Sequence, residues 1–504
     1  MVSKSREDAD PVDDARHLVR FDTDRIKDYV FATDRLREVR GASALLTWLN
    51  EKESPKLVRR VCPGAETLFF GGGGGAVTVP SQGDAEAVIR AVEDLYRRKT
   101  VTASITGASV PLGPDDFSRY MELASVKLRQ LKDERAQRTV AAMEPYTQPC
   151  ASCEQFPAVK VSPIDAQPVC ESCDLKRDEF RKHREKAPDT PESLQELGEL
   201  SRPPGYVGFI YADGNSISEV LSQLRNPEDY RHFANGLNDL IKRVVDETLD
   251  EHPRRRARSG DRRPHECLLI GGDDLMLVTA GDIALPVALK IATDFEAGAP
   301  AVLEKAHLPH GKPLTLGVGV VLAHAGFPIA AFRQLAVQLV RNAKRRCAID
   351  GYALSAIDFM VVSASASSDV DTLRREALSE HAFVFRQAER RVHLTQRPYL
   401  LEDALKLLEH ARSFKGFPRS QLHYLYEGLF HSRAEARFRW RQVAARLAKR
   451  DPAHRRAMDA FDAEFGDGGN GLSPWRKRPD WYTGELEDSC AFGDLVEIHQ
   501  FIPG

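Results

Sequence analysis

The same run of elements occurs twice in this chain, each time around a glycine turn between two short apolar segments. In the first copy, "HLVRFDTD" (17–24) reads as a strand ending in carboxylates, and "RIKDYVFATDRLREVRGASALLTWLN" follows with apolar residues at helical spacing. "ETLFF" and "AVTV" then flank five glycines as two short strands, "DAEAVIRAVEDLYRRK" reads as a helix with an acidic start and a basic end, and "TVTASITGAS" (100–109) reads as a strand. The second copy runs "YVGFIYADGN" (206–215), a helix over "PEDYRHFANGLNDLIKRVVDETLDE", and the hairpin "ECLLI-GGDD-LMLVTA" (266–280). A helix at "IALPVALKIATDFEA", a strand at "PLTLGVGVVLAHA", a helix at "IAAFRQLAVQLVRNAKRR" and a strand at "LSAIDFMVVSA" complete it. Almost no literal identity links the copies, so the duplication is one of architecture.

The second turn carries chemistry. Asp273 and Asp274 sit between two strands too apolar to be exposed, and adjacent carboxylates at the tip of a buried hairpin repel unless a cation lies between them. Asp213 ends the preceding strand, and in an antiparallel sheet it points into the same volume. Three converging carboxylates suit Mg²⁺ or Mn²⁺, which takes phosphate oxygens as further ligands, and Gly271 and Gly272 leave backbone N–H groups open to a phosphate. Two such ions would serve an in-line phosphoryl displacement. The competing reading is a solvated acidic hairpin, since Gly-Gly-Asp is common turn chemistry. Lys344, late in "RNAKRR", is within reach of a triphosphate on one reading and complements a helix C-terminus on the other.

The first turn has glycine where the second has acids. Gly71-x-Gly73-x-x-Ala76 matches a dinucleotide fingerprint in letters, but that fingerprint needs a helix after the glycines, and "AVTV" is β-branched and strand-like. A linker is excluded because the repeated unit needs both flanking strands. Asp22 and Asp24 therefore stand without hairpin acids, and the first turn is assigned no metal.

Between the copies, Cys150 and Cys153 form one Cys-x-x-Cys pair and Cys170 and Cys173 another, with sixteen residues between them. This spacing points to one structural zinc with all four positions filled; disulfides or redox pairs are the rivals. "PRRRARSGDRRPH" (253–265), with Arg254, Arg255, Arg256, Arg258, Arg262 and Arg263, reads either as a track for RNA phosphates or as a solvated loop. It has no interleaved aromatics for base stacking. Net charge is −3, so any nucleic-acid binding rests on local patches. No apolar run approaches the roughly 18 residues of a membrane span, and a cytoplasmic protein without membrane contact is expected. A P-loop, a Gly-x-Ser-x-Gly elbow and a His-Glu-x-x-His motif are all missing from the sequence.

Together these motifs resemble the large palm-domain subunit of type III CRISPR effector complexes, distant relatives of the GGDEF diguanylate cyclases. The residues that carry the likeness are "YADGN", "GGDD", "LGVGVVLAHAGFPI…LAVQLVRNAKRR" and "SAIDFMVVS" in the second copy, and "DTDRIKDYVFATDRLREVRGASALL" with the glycine turn in the first. The paired Cys-x-x-Cys and "LTQRPYLLEDALKLLEHARSFKGFPRSQL" (394–422) extend it over roughly residues 16–430. The resemblance implies an α+β fold of two facing ferredoxin-like palms: a first palm (16–110), a helical insert with the zinc site (111–200), a second palm (201–366) and a C-terminal helical domain (367–504). It implies ATP near the palm interface, joined into cyclic oligoadenylate with release of pyrophosphate. Asp213, Asp273 and Asp274 become metal ligands, and Gly271, Gly272 and Lys344 become phosphate contacts. Ser216 falls near the nucleotide, and Gly73 helps seat a second ATP. Guide RNA, target RNA and other type III subunits are the implied partners. The chain starts almost directly with the first palm, so the family's frequent N-terminal His-Asp nuclease domain, and DNA cleavage with it, is not expected. Two alternatives remain: a non-catalytic scaffold that binds nucleotide or RNA, and a stand-alone cyclic dinucleotide synthase.

Overall fold

A computed structural model describes residues 15–502 except 114, 137–145, 164, 309–312, 363–368, 371, 375–391, 467–473 and 480–485. In the first repeat, β1 (His17–Asp24), β2 (Glu66–Gly71), β3 (Gly74–Val79) and β4 (Ser104–Pro111) form a sheet in the order β2-β3-β1-β4. The helices α1 (Ile26–Val30), α2 (Leu36–Trp48) and α3 (Ser54–Val61) lie between β1 and β2, and α4 (Gln82–Thr100) lies between β3 and β4. That strand order is the ferredoxin-like one. The sequence reading starts β4 at residue 100, but α4 keeps its basic last turn through Thr100, whose hydroxyl donates to Tyr96 O at 2.8 Å. Val101 then turns the chain at φ 67.

After α5 (Phe117–Ala136), two short strands, β5 (Lys160–Val161) and β6 (Pro168–Val169), precede α6 (Glu171–Lys186). The helical reading of 137–145 lies outside the described residues. The polar, proline-punctuated segment 185–205 contains a helix, α7 (Leu194–Leu200), because Leu194, Leu197 and Leu200 fall on one face and Ser193 accepts from Glu196 N.

The second repeat is built alike. β7 (Tyr206–Gly214), α8 (Ile217–Leu221) and α9 (Pro227–Asp250) come first, with Asn226 capping α9 through Asp229 N at 2.8 Å and Pro227 in its first turn. A small hairpin, β8 (Arg255–Ala257) and β9 (Gly260–Arg262), leads into β10 (His265–Gly271) and β11 (Asp274–Ala280). The helices α10 (Gly281–Lys305) and α11 (Ile329–Ile349) then bracket β12 (Leu316–His324), before β13 (Ala356–Val362), β14 (Val392–His393) and β15 (Tyr399–Leu400). Its six-stranded sheet runs β10-β11-β7-β12-β13-β15, the same hairpin-centre-fourth order with two strands added at one edge. The strand β7 is buried nearly throughout because it is paired on both sides, with β11 and β12.

The repeats are fused by packing. Leu18, Leu68 and Ala76 of the first share a core with Ile210, Leu237 and Leu275 of the second. Val19 and Phe21 share another with Phe209 and Met276. The Glu51–Lys242 pair (2.5 Å) and the nearly buried Arg40–Glu266 pair (2.6 Å) cross the same boundary.

The C-terminal region is mainly helical over 401–499, as its periodicity predicts, but the tail adds a small sheet, β14 with Leu486–Ser489 and Arg476–Pro479. Trp475, unplaced by sequence reading, is buried beneath it. The helical reading of 375–391 lies outside the described residues. No helix among the described residues is long and apolar enough to cross a membrane.

Candidate active site

The antiparallel register puts Asp274 directly opposite Asp213, with Gly271 closing the hairpin opposite Asp274 on its other side. Asp273 occupies the turn itself. Its carbonyl accepts from Gly214 N at 3.2 Å, and its side chain lies so close over Gly214 that a Cβ there would meet Asp273 Oδ2 at 3.0 Å. The three carboxylates foreseen from sequence are thus brought together. Burial, and then the charges of Asp213 and Asp274, push the Asp273 carboxyl up to about 6. An acid disfavoured in this way is relieved by a nearby cation, although among the described residues only the four cysteines already bring their ligand atoms within 4.8 Å of one another.

Two lysines hold the other two acids. Lys344 Nζ lies 2.8 Å from Asp213 Oδ1 and donates to Gly214 O at 2.8 Å. Lys27, from α1 of the first repeat, crosses to the second: its Nζ is 3.2 Å from Asp274 Oδ2 and 2.8 Å from Tyr211 Oη. Tyr211 Oη in turn donates to Asp274 Oδ1 (3.0 Å) and also lies 3.3 Å from Asp213 Oδ2. Burial and these two carboxylates push the Tyr211 phenol well above its usual range. Sequence reasoning missed Tyr211 and Lys27. Tyr211 was findable, since residues two apart on a strand share a face. Nothing local in "DTDRIKDY" marks Lys27.

A cavity of about 1,060 Å³ opens between the repeats, with Asp273, Asp274, Gly271 and Gly272 on one side and Gly71, Gly72 and Asp22 on the other. At its floor the two turns touch backbone to backbone. A Cβ on Gly271 would meet Gly72 Cα at 2.4 Å, and one on Gly72 would meet Gly271 C at 2.9 Å. Gly72 also sits at φ 59, so no other residue fits there without strain. Gly73 lines a separate crevice of about 30 Å³, and its carbonyl accepts from Thr23 N (2.8 Å) and Oγ1 (2.6 Å). Of the five glycines, Gly72 is the one placed between the large cavity and the opposing turn.

Ser216 stands at φ 57 where α8 begins, and the next two residues, Ile217 and Ser218, line the large cavity. Lys344 lines a second opening of about 400 Å³ with Asp213, Tyr211, Arg341 and Arg345. The acids therefore stand between two openings, one lined by Phe233, Leu237 and Leu221 together with Arg20, Asp116, Glu122 and Arg129, and one lined by Lys344, Arg341 and Arg345 together with Val337, Val340 and Ala348. Asp22 and Asp24 of the first repeat are occupied otherwise. Lys132 pairs with both, at 2.5 and 3.3 Å, and Ser104 and Thr106 hydroxyls donate to Asp24.

The sulfurs of Cys150, Cys153, Cys170 and Cys173 all lie within 4.8 Å of one another, and none is in a disulfide. Cys153 and Cys170 are 3.8 Å apart, the edge of a tetrahedron with metal–sulfur bonds of about 2.3 Å. A thiolate on Cys153 is favoured by hydrogen bonds from Cys170 and Cys173, whose own thiols that charge pushes up; a zinc ion would take all four as thiolates. The cluster is bolted to the first repeat: Arg177, on α6, pairs with Glu38 of α2 at 2.7 Å, both fully buried, and Gly41 lets Lys176 O approach α2.

The basic run is a hairpin whose arginines are answered by acids. Arg254 and Arg263 meet Asp189, Arg255 meets Asp282, Arg256 meets Asp261, Arg258 meets Glu199 and Arg262 meets Glu196, at 2.6 to 3.7 Å. This neutralisation favours the structural reading over a phosphate track.

Residues 206–351 match the sequence model of the family described as Cas10/Cmr2, second palm domain. No curated protein sequence is similar enough to this chain to count as a match. Among solved structures, a chain of the Csm1–Csm4 cassette in complex with cA4 superposes with a TM-score of 0.52 at 13% identity, covering 89% of this chain and 64% of that one. The cassette in complex with pppApA gives 0.55 at 13%, covering 97% and 70%. Csm1 in T.onnurineus gives 0.54 at 12%, covering 97% and 70%. The chain thus spans about two thirds of the length of these structures, and at such identity they speak for the fold.

Proposed function

From a chain similar to the large palm subunit of type III CRISPR effectors, with a Cas10/Cmr2-type second palm at 206–351, we propose a metal-dependent nucleotidyltransferase that joins ATP into cyclic oligoadenylate and releases pyrophosphate. The observation that carries this reading is the register pair Asp213–Asp274, with Asp273 on the turn, at the edge of a 1,060 Å³ cavity shared by both repeats. Such a volume is at the upper end of the range of small-molecule pockets, about 300–1,000 Å³, and has room for a nucleotide.

Asp213, Asp273 and Asp274 are the residues that would hold Mg²⁺ or Mn²⁺, which when bound neutralises charge on the attacking and leaving oxygens of an in-line displacement. The chain's own groups do the rest. Gly271 and Gly272 present backbone N–H groups to a phosphate, and Lys344, with Arg341 and Arg345 beside it, offers cationic contacts at the second opening. Phe233, Leu237 and Leu221 give a base an apolar wall, while Gly72 keeps the first repeat's backbone close enough to seat a second nucleotide. Gly73 braces that turn through Thr23, and Ser216 sets the entry of α8. The four cysteines hold a structural zinc. Csm4-like subunits and guide or target RNA are the partners this reading expects, by analogy with the cassettes above.

The test is to incubate the pure chain with each NTP and Mg²⁺ or Mn²⁺, with and without RNA, and to identify products by mass spectrometry. Cyclic oligoadenylate supports the reading, a cyclic dinucleotide moves it to the stand-alone synthase, and absence of any product under all conditions overturns catalysis in favour of a scaffold.

A further inference from the structure

Each carboxylate of the register pair already has a resident ammonium, and the two are held very differently. Lys344 belongs to the long helix α11 and is anchored a second time by Gly214 O. Lys27 belongs to the five-residue α1, which starts after Arg25 at φ 47. Its Nζ is divided between Asp274 and Tyr211 Oη, and its remaining contact is the Tyr211 ring, 4.8 Å below. Both partners of this ion pair are about one third exposed, so water reaches it.

Lys27 contacts both oxygens of Asp274, at 3.3 and 3.2 Å, and a divalent ion held by Asp274 would draw on the same oxygens. Such an ion binds carboxylate oxygens at about 2.0–2.1 Å and would stand against the ammonium at close range, so the two exclude one another. The first repeat shows the same device made permanent. Asp22 holds the position of Asp213, Gly74 holds that of Asp274, and Lys132 closes on Asp22 and Asp24 together. With no carboxylate on the opposing strand, nothing there competes with the lysine.

We propose that Lys27 is a displaceable counter-ion: it and a divalent cation compete for Asp274, so that loading of the second repeat's acids releases a contact made by the first. This rests on the reading of Asp213, Asp273 and Asp274 as a cation site. Lys27 is thus a positioning residue whose role is to set the cation affinity of the site and to report its occupancy to the other repeat.

The experiment is a Mn²⁺ titration of the nucleotide-free full chain, followed by the electron paramagnetic resonance signal of free Mn²⁺. Lys27→Met and Lys27→Gln should bind Mn²⁺ about five-fold more tightly than wild type, the scale of a partly exposed ion pair removed as competitor. Lys27→Arg should stay near wild type. Lys132→Met, which removes the same charge from the other repeat, should leave affinity unchanged. The gain from Lys27→Met should persist at high salt, because a contact competitor is screened far less than a distant charge. Equal or weaker Mn²⁺ binding by both neutral variants overturns the role of Lys27 while leaving the cation site standing. Binding that survives Asp273→Ala with Asp274→Ala overturns the cation site itself, and the proposal with it.

Discussion

The two repeats share strand order and register, yet one turn of two residues separates them in chemistry. Asp22 faces Gly74 in the first as Asp213 faces Asp274 in the second. Gly71 closes on Gly74 as Gly271 closes on Asp274. One sheet therefore concentrates three acids at its hairpin tip, and the other strips its tip to backbone. The difference shows how a duplicated fold can diverge at its turns while keeping the glycine contact that joins them, Gly72 against Gly271. A side chain at Gly72 would hold the turns apart.

The largest break in this comparison comes from removing the acids. Asp273→Ala with Asp274→Ala should lower product formation by on the order of 10³-fold or more. Melting temperature should hold or rise, since the fold disfavours a charged Asp273. Next in size is the mooring of the cysteine cluster to the first repeat. Glu38→Ala takes from the buried Arg177 its buried partner but leaves Asp165 at 2.9 Å, and should cost about 2–3 kcal/mol in denaturant unfolding. Gly72→Val and Gly272→Ala then test the two turns against each other. The first is strained at φ 59 and blocked by Gly271, so a loss of about 1–3 kcal/mol with weakened ATP binding is expected. The second meets open space and should cost about 1 kcal/mol, from its positive φ alone. Smallest is Asp22→Asn. Product formation should stay near wild type, and unfolding should move by less than about 1 kcal/mol as Lys132 keeps Asp24. A large activity loss there would mean that the first repeat's acids take part after all.

The repeat, its strands and the acidic turn were legible because short apolar runs and the glycine turns between them are local signals. The convergence of Asp213 on Asp274 followed from antiparallel pairing alone. Which of five glycines touches the opposing turn was not legible: a run of identical residues carries no register, and Phe69, Phe70 and Ala76 fix it only through their pairing across β2 and β3. The arginine run was ambiguous for a related reason. Asp189, Glu196, Glu199 and Asp282, which answer it, come from two other segments of the chain. Lys27 lies 247 residues from Asp274, a separation across which no sequence pattern speaks. The tail defeated reading because Leu486–Ser489, besides pairing with Arg476–Pro479, pairs with Val392 and His393 about 95 residues earlier in the chain.

The shared apolar core has a consequence for how this molecule divides. Leu18 and Leu68 are sealed by side chains of the second repeat, and Phe209 by side chains of the first. Severing the chain in the connector near 185–205 would therefore yield two fragments, each with a wet hydrophobic face, rather than two autonomous modules. A tandem copy whose halves share one core should melt as one body, and the chamber between the halves takes its width from that core.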